Sequence, residues 1–165
     1  MFEQGALVTY GIHGLCKITK VENMRVERKE IEFYVLEPVK QPGSYYYVPT
    51  QNKTVVSKLR PILTKEQLDD LLTSLDITTD SWIADENARK QRYRELINSG
   101  DRAALISMVK LIYMQKELLL SQGKKLHLSD DNFLRDAKTV LNSEFSVVLG
   151  IEQENVGEYI KNIIR

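Results

Sequence analysis

Residues 59–67, LRPILTKEQ, mark the point at which the periodicity of the sequence changes. Before Pro61, apolar and polar residues alternate over short runs, a pattern that is typical of β-strands. After it, Thr64 is followed three residues later by Gln67. This pair is a capping box and predicts a helix over residues 65–75. The fold is therefore expected to change from strands to helices at this point of the chain.

The segment before this point, residues 1–63, is expected to form a small β-domain. Alternation is clearest around Ile31, Phe33 and Val35, which lie on one face of a predicted strand. Glycine and proline residues mark turns between the apolar runs. The predicted strands are residues 7–10, 15–21, 26–36, 44–48 and 54–56. Five short strands with tight turns predict a strongly bent barrel of the SH3-like or Tudor-like kind.

The segment after it, residues 64–165, is expected to form a compact helical bundle. Apolar residues recur there at helical spacing, and short loops favour antiparallel neighbours. Besides the helix at 65–75, the pattern predicts helices over residues 86–98, from Asp101 to Gly123, from Ser129 to Gly150, and around residues 156–163. The predicted fold class is α+β, a small β-barrel domain followed by a helical domain.

The composition bounds the class of protein. The chain has 165 residues and is 42% apolar, which is enough for a core and excludes full disorder. No apolar run approaches the roughly 20 residues of a membrane span, and residues 1–5 lack the features of a signal peptide. A single cysteine, Cys16, cannot form an internal disulfide. We therefore expect a soluble cytoplasmic protein with no membrane association.

Charge is distributed unevenly along a chain whose net charge is zero. Residues 64–88 carry one basic and seven acidic side chains, whereas residues 89–125 carry nine basic and three acidic ones. A concentration of positive charge of this kind can bind an anionic polymer, but it is also compatible with a solvated helix face. The acidic segment is compatible with a semi-rigid joint or with folding back on the basic helix.

Residues that could carry chemistry are few. His13 lies in a glycine-flanked turn and His127 in a short loop, and neither has partners at metal-ligand spacing. Cys16 has no neighbour that would lower its pKa, so a buried, inert thiol is expected. The carboxylate pairs at 69–70 and 130–131 are assigned to helix starts or exposed faces, where they suit the helix dipole. No phosphate-loop or nucleophile motif is found, so we expect neither an enzyme nor a cofactor.

Trp82, the only tryptophan, is the most informative residue. It ends a polar stretch, residues 78–82, just ahead of a cluster of cations at helical spacing, which is expected to present a broad positive surface. The cations are Arg89, Lys90, Arg92 and Arg94. In one interpretation Trp82 packs over the junction between the two halves, since tryptophan is usually well buried. In the other it is an apolar wedge that leans on unstacked bases in the minor groove.

Short motifs in a specific order make the chain resemble the CarD/CdnL family of bacterial transcription regulators. The resemblance spans nearly the whole chain. The motifs in the first half are Met1-Phe2 through Gly5, Val8-Thr9-Tyr10, His13-Gly14, Phe33-Tyr34-Val35-Leu36, Val48-Pro49 and Leu59-Arg60-Pro61-Ile62. Those in the second half are Trp82, Ser99-Gly100-Asp101, and Leu134 to Leu149 with Ala137, Leu141 and Glu144.

This resemblance implies a two-part function. The Tudor-like domain, residues 1–63, would dock on the β subunit of RNA polymerase. The helical domain, residues 64–165, would meet promoter DNA weakly and without sequence preference at the upstream edge of the melted bubble. There Trp82 would wedge into the minor groove and stabilise the open complex. The protein would then be associated with the nucleoid through the polymerase.

The same resemblance assigns site residues. Polymerase contacts fall on Met24, Arg25 and Val26, and on Tyr47; an arginine is usual in the family where Met24 and Tyr47 stand. The DNA contacts fall on Trp82, Arg89, Lys90, Arg92 and Arg94, with Lys124 and Lys125 as substitutes for a basic position that falls near Asp131. The alternative is an adaptor between proteins of the transcription or repair machinery that has no direct role on DNA.

Overall fold

The computed structural model describes residues 1–76 and 81–164. Thr78, Thr79 and Asp80, part of the polar stretch before Trp82, lie outside the described residues. The strands are β1 (Leu7–Tyr10), β2 (Leu15–Val26), β3 (Lys29–Pro38), β4 (Tyr46–Pro49) and β5 (Leu59–Pro61). The helices are α1 (Lys53–Val56), α2 (Lys65–Ser74), α3 (Glu86–Ser99), α4 (Arg102–Ser121), α5 (Leu128–Leu149) and α6 (Gln153–Ile164).

The five strands form one antiparallel sheet in the order β4-β3-β2-β1-β5. With the helices that follow, this confirms the predicted α+β class. The centre of the sheet is the long β2–β3 hairpin, whose turn contains Glu27 and Arg28 with φ of 47° and 68°. Positive φ at both central residues is the signature of a type I′ turn, whose twist matches that of paired strands. A register shift between Ile18 and Lys20 marks a bulge that bends β2.

The core of the β-domain lies on the inner face of this sheet. It is built from Val8, Cys16, Ile18, Tyr34, Leu36, Val48 and Leu59. Tyr34 and Leu36 alternate with Phe33 and Val35, so these last two lie on the opposite, outer face. The prediction that Ile31, Phe33 and Val35 share a face is consistent with the register; none of the three belongs to this cluster, although Val35 is buried. Burial raises the pKa of the Cys16 thiol to about 11, as expected for an inert buried cysteine.

Two strand predictions were wrong in position. Residues 54–56 belong to the short helix α1, because Asn52 caps it by accepting a hydrogen bond from the Val55 amide at 3.3 Å. The fifth strand is β5, three residues further on. The predicted strand at 26–36 begins too early, since Val26 still belongs to β2 and the hairpin turn follows it.

The helices begin and end close to their predicted positions. The capping box of Thr64 and Gln67 is present, and Asp101 caps α4 by accepting from the Ala104 amide. Gly100 and Gly150 end α3 and α5 in the left-handed conformation, which glycine adopts without steric cost. His127, two residues before the predicted Ser129, is the cap of α5. No helix within residues 1–76 and 81–164 is long and apolar enough to cross a membrane.

The acidic segment that follows Thr64 is part of the bundle. Leu68 and Leu72 of α2 are buried in the helical core, and α2 contacts α5 and α6. The Tyr159 hydroxyl donates a hydrogen bond to Asp69 at 2.9 Å. Residues 65–74 are therefore a packed helix of the bundle.

A buried ion pair joins the β-domain to the bundle. Glu144 of α5 is 2% exposed and accepts hydrogen bonds from Arg102 Nε and Nη2 at 2.8 and 2.7 Å. The same carboxylate accepts from the Leu63 amide at 2.9 Å, and Arg102 Nη2 also donates to the Pro61 carbonyl at 2.8 Å. The chain leaving β5 is thus held by both partners of the pair.

A second contact joins the two domains at the turn after β1. The Leu15 amide donates to Ser143 Oγ at 3.3 Å. Gly14 has φ of 66°, and a Cβ there would lie 3.0 Å from that hydroxyl oxygen. Glycine is required at this position both for the backbone conformation and for the close approach of α5.

Candidate functional site

A group of apolar side chains lies on the outer side of the β2–β3–β4 sheet, together with the Lys20–Glu22 ion pair. Antiparallel register places Met24 opposite Ile31, and places Phe33 opposite Pro49 and beside Tyr47. Phe33 and Tyr47 meet edge to face, with ring centroids 6.4 Å apart. We call this surface the outer face; it comprises Met24, Val26, Ile31, Phe33 and Tyr47.

Three residues of the outer face leave large apolar area in solvent. Met24, Val26 and Tyr47 are 37%, 40% and 49% exposed. An exposed group of apolar side chains on a sheet is typical of a surface that binds another protein. The structure therefore places on one face of the sheet three of the four residues that the resemblance assigned to polymerase contact.

Arg25, the fourth, lies on the other face of β2, opposite Glu30. It belongs to a stretch of β2 whose backbone is open on one side. β1 pairs with β2 only at Leu15–Lys17, and the next bonds join Ile18 to Gly5 and Ala6. Within the described residues, no strand pairs with residues 20–26 on that side. An open edge of this kind can accept a strand from a partner's sheet.

Trp82 packs on the helical bundle and not over the junction between the domains. Its ring meets Tyr93 edge to face at 6.4 Å, and Arg89 Cζ lies 4.5 Å from the ring centroid. The side chain is half-buried, so part of the indole remains accessible. The interpretation that Trp82 packs over the junction is wrong, because the ring packs against α3. The wedge interpretation stays a prediction.

Arg89 does not belong to the positive surface predicted from the sequence. The residue is 6% exposed, and its guanidinium binds Asp130 through Nε–Oδ1 and Nη2–Oδ2 distances of 2.8 and 2.9 Å. The hydrogen bond to Asp130 raises the pKa of Arg89 above its usual value. Arg89 is therefore not available to the predicted positive surface in this structure, because its guanidinium is buried and neutralised by a carboxylate.

Sequence reasoning assigned Asp130 to a helix start or an exposed face. It lies in the first turn of α5, but its 1% exposure and its pairing with Arg89 were missed. The signal was the spacing of Arg89, Tyr93 and Ile97, which recur every four residues and form the buried side of α3. An arginine on a buried stripe requires a buried carboxylate. Nothing in the sequence alone says that Asp130, 41 residues away, provides it.

The other predicted cations differ in exposure and in whether they form an ion pair. Lys90 pairs with Glu86 at 2.6 Å. Arg92 and Arg94 are exposed and have no ion pair within the described residues. Lys124 and Lys125 are exposed in the loop between α4 and α5. Asp131, near which the resemblance places a basic position, pairs with Lys116 at 3.1 Å. The positive surface is therefore smaller than the charge count of residues 89–125 indicates.

Both histidines contact neighbouring side chains of the fold. His13 stacks on Tyr46 with ring centroids 4.1 Å apart, and partial burial lowers its pKa. His127 contacts Ser129 at the start of α5. Within residues 1–76 and 81–164, no three His, Cys, Asp or Glu side chains are grouped as metal ligands.

The fold and these surfaces define a two-domain protein whose candidate sites are binding surfaces, one on a β-sheet and one beside a half-buried tryptophan. Residues 2–62 match the family described as the CarD-like/TRCF RID domain, and residues 70–161 match the CarD C-terminal domain. The chain belongs to the CarD family. It is therefore an RNA polymerase-interacting transcription factor from a family of non-catalytic regulators. No curated protein matches the chain.

Proposed function

We propose that the protein docks on the β subunit of RNA polymerase through the outer face and the open edge of β2. In this proposal the helical domain contacts promoter DNA at the upstream edge of the melted bubble and stabilises the open complex. The observation that carries the proposal is the exposed apolar outer face, which contains Met24, Val26 and Tyr47, the residues that the resemblance assigns to polymerase contact.

Two kinds of contact are available to the polymerase at the same place. The outer face offers apolar area, and the backbone of residues 20–26 offers unpaired amides and carbonyls to a strand of the β subunit. Main-chain pairing supplies affinity, and the alternate side chains supply specificity. Arg25 would take part mainly through its backbone, since its side chain lies on the other face of β2.

The DNA contact rests on Trp82 and on the free cations. The indole has an accessible surface for stacking on bases, which is worth about 1–3 kcal/mol per base in proteins that bind unpaired strands. Arg92, Arg94, Lys124 and Lys125 can neutralise phosphates, and Lys90 can do so after leaving Glu86. Contacts of this kind do not depend on sequence, so the polymerase contact would supply the placement on the promoter.

The junction between the domains supports simultaneous binding. Glu144 and Arg102 hold the chain between β5 and α2, and Ser143 holds the turn at Gly14–Leu15. A rigid connection keeps the polymerase surface and Trp82 at a fixed separation, so that docking the first domain raises the effective concentration of the second at DNA.

The docking surface can be tested by binding to core RNA polymerase without DNA. The double variant Met24→Ala/Tyr47→Ala is expected to bind about 10- to 100-fold more weakly, because apolar anchors at the centre of an interface carry most of its energy. Val39→Ala is the matched control, an exposed apolar residue at the other end of the hairpin. Equal binding by the double variant and the wild type would contradict docking on the outer face.

The phosphate contacts can be tested through the salt dependence of the promoter complex with polymerase saturated. Neutralising two cations, as in Arg92→Gln/Arg94→Gln, is expected to reduce the log–log salt slope by up to about 2, since each neutralised phosphate contributes about 0.9 on duplex DNA. The control is Lys53→Gln/Lys58→Gln, two exposed cations of the β-domain. An unchanged slope in the first variant would remove Arg92 and Arg94 from the DNA surface.

The adaptor function remains the second candidate, because Arg89 and Lys90 are paired internally and leave a modest positive surface. In that case the bundle would bind a protein, and the charge reversal Arg92→Glu/Arg94→Glu would leave every DNA-dependent assay unchanged. A shorter-lived open complex in this variant would exclude the adaptor function.

A further inference from the structure

We propose that Arg89 is a positioning residue for Trp82, and that the buried Arg89–Asp130 pair holds the indole in the orientation in which it meets DNA. We call the pair and its contacts to the Trp82 segment the clamp. The inference deepens the proposed function and rests on it, since it concerns how Trp82 is presented. It also concerns the orientation of the indole in the free protein, which can be measured without DNA.

One guanidinium makes three kinds of contact in the clamp. Nε and Nη2 bind the two oxygens of Asp130, which fixes the plane of the group. Nη1 donates to the Ile83 carbonyl at 2.9 Å, directly after Trp82 in the chain. The Trp82 ring centroid lies 4.5 Å from Cζ, within range of a cation–π contact. The position of the ring and that of its backbone are thus set by the same side chain.

Trp82 requires such support because its surroundings define it weakly. Residues 81–84 contain no helix or strand, and the indole is half-buried and makes an edge-to-face contact with Tyr93. A side chain in this setting would sample several rotamers if packing alone held it. A wedge that must enter a narrow gap between bases gains from being held in one orientation before binding, because less conformational entropy is lost.

Stability alone does not account for the pair. Removing a guanidinium and a carboxylate from water has a high desolvation cost, and apolar side chains of similar volume often stabilise a protein at least as well. Asp130 comes from α5, whereas Arg89 comes from α3. The clamp therefore ties the segment that bears Trp82 to the packing of two helices.

The decisive variant replaces the whole pair with apolar residues, Arg89→Met/Asp130→Leu. This variant is expected to stay folded, with a melting temperature near that of the wild type, and to bind core polymerase equally well. Its open-complex lifetime nevertheless falls toward that of Trp82→Ala. Since Trp82 is the only tryptophan, its fluorescence reports the indole directly, and the acrylamide quenching constant is expected to rise about twofold on loss of the cation–π contact.

Two further variants separate positioning from charge and from folding. Arg89→Lys keeps the positive charge but loses the planar fork that reaches Asp130 and Ile83 together, so it is expected to raise quenching and shorten the lifetime as well. Lys90→Met is the matched control, because it removes the neighbouring cation without touching the indole, and it should leave Trp82 quenching unchanged.

Wild-type quenching and wild-type lifetime in the folded double variant would overturn the clamp and leave the pair as a structural feature. If the double variant does not fold, the Trp82 quenching and the open-complex lifetime of Arg89→Lys test the clamp instead. If Trp82→Ala itself leaves the open-complex lifetime unchanged, the proposed contact of Trp82 with promoter DNA is wrong. The quenching measurement then still decides whether Arg89 holds the indole.

Discussion

Glu144→Ala is expected to lower the free energy of unfolding by about 3–5 kcal/mol, the cost of removing one partner of a buried ion pair. Glu144 is almost fully buried and accepts hydrogen bonds from Arg102 and from the Leu63 amide. Without it, Arg102 and that amide remain in the junction without their acceptor. Urea unfolding followed by circular dichroism and by Trp82 fluorescence measures the loss, and the fluorescence reports the helical domain.

Two comparisons show whether the effect comes from the junction. Asp136→Ala removes an exposed carboxylate from the same helix and should change the free energy of unfolding by less than about 0.5 kcal/mol. Arg102→Met/Glu144→Leu removes both charges and should recover most of the stability. A loss below about 1 kcal/mol in Glu144→Ala would mean that the pair contributes little at the junction.

Trp82→Ala is expected to shorten the open-complex lifetime by about 5- to 30-fold, which corresponds to about 1–2 kcal/mol of lost base contact. Binding to core polymerase should be unchanged, because Trp82 lies on the helical domain and the outer face lies on the β-domain. The lifetime is measured as dissociation from several promoters after addition of a competitor, with polymerase saturated by the variant.

Two controls keep this result specific. Trp82→Phe retains an aromatic ring and should recover part of the lifetime, whereas Tyr113→Ala removes another exposed aromatic residue, on α4, and should have no effect. The melting temperature of each variant shows whether loss of the Tyr93 contact unfolds the bundle. Unchanged lifetimes for a folded Trp82→Ala variant would remove the wedge from the proposed function.

Much of the fold was predictable because its signals are local. The change of period after Pro61, the capping box at Thr64 and the glycines at 100 and 150 each act within a few residues, so they can be read without tertiary contacts. Residues 54–56 were predicted wrongly for the same reason: their β-branched side chains favour a strand, but the Asn52 cap turns them into a helix.

The candidate site was predictable only in part. Strand alternation predicts which side chains share a face, as it did for Ile31, Phe33 and Val35, but it does not say which face the rest of the domain covers. Tyr34 and Leu36 belong to the core of the β-domain, whereas Ile31 and Phe33 lie partly buried on the outer face and Val35 is buried there. Similarly, the clustering of Arg89 with Lys90, Arg92 and Arg94 was a correct observation about charge, yet it did not show which of these cations is buried.

The sequence by itself determined the two-domain order, the α+β class, the resemblance to the CarD family and the importance of its single tryptophan. Only the tertiary structure decided that Arg89 belongs to Asp130, that Glu144 and Arg102 hold the two domains together, and that Trp82 rests on α3. The physical reason is distance along the chain. The Arg89–Asp130 and Arg102–Glu144 pairs join residues 41 and 42 positions apart, and the desolvation that makes a charge require a partner exists only once the chain has folded around it.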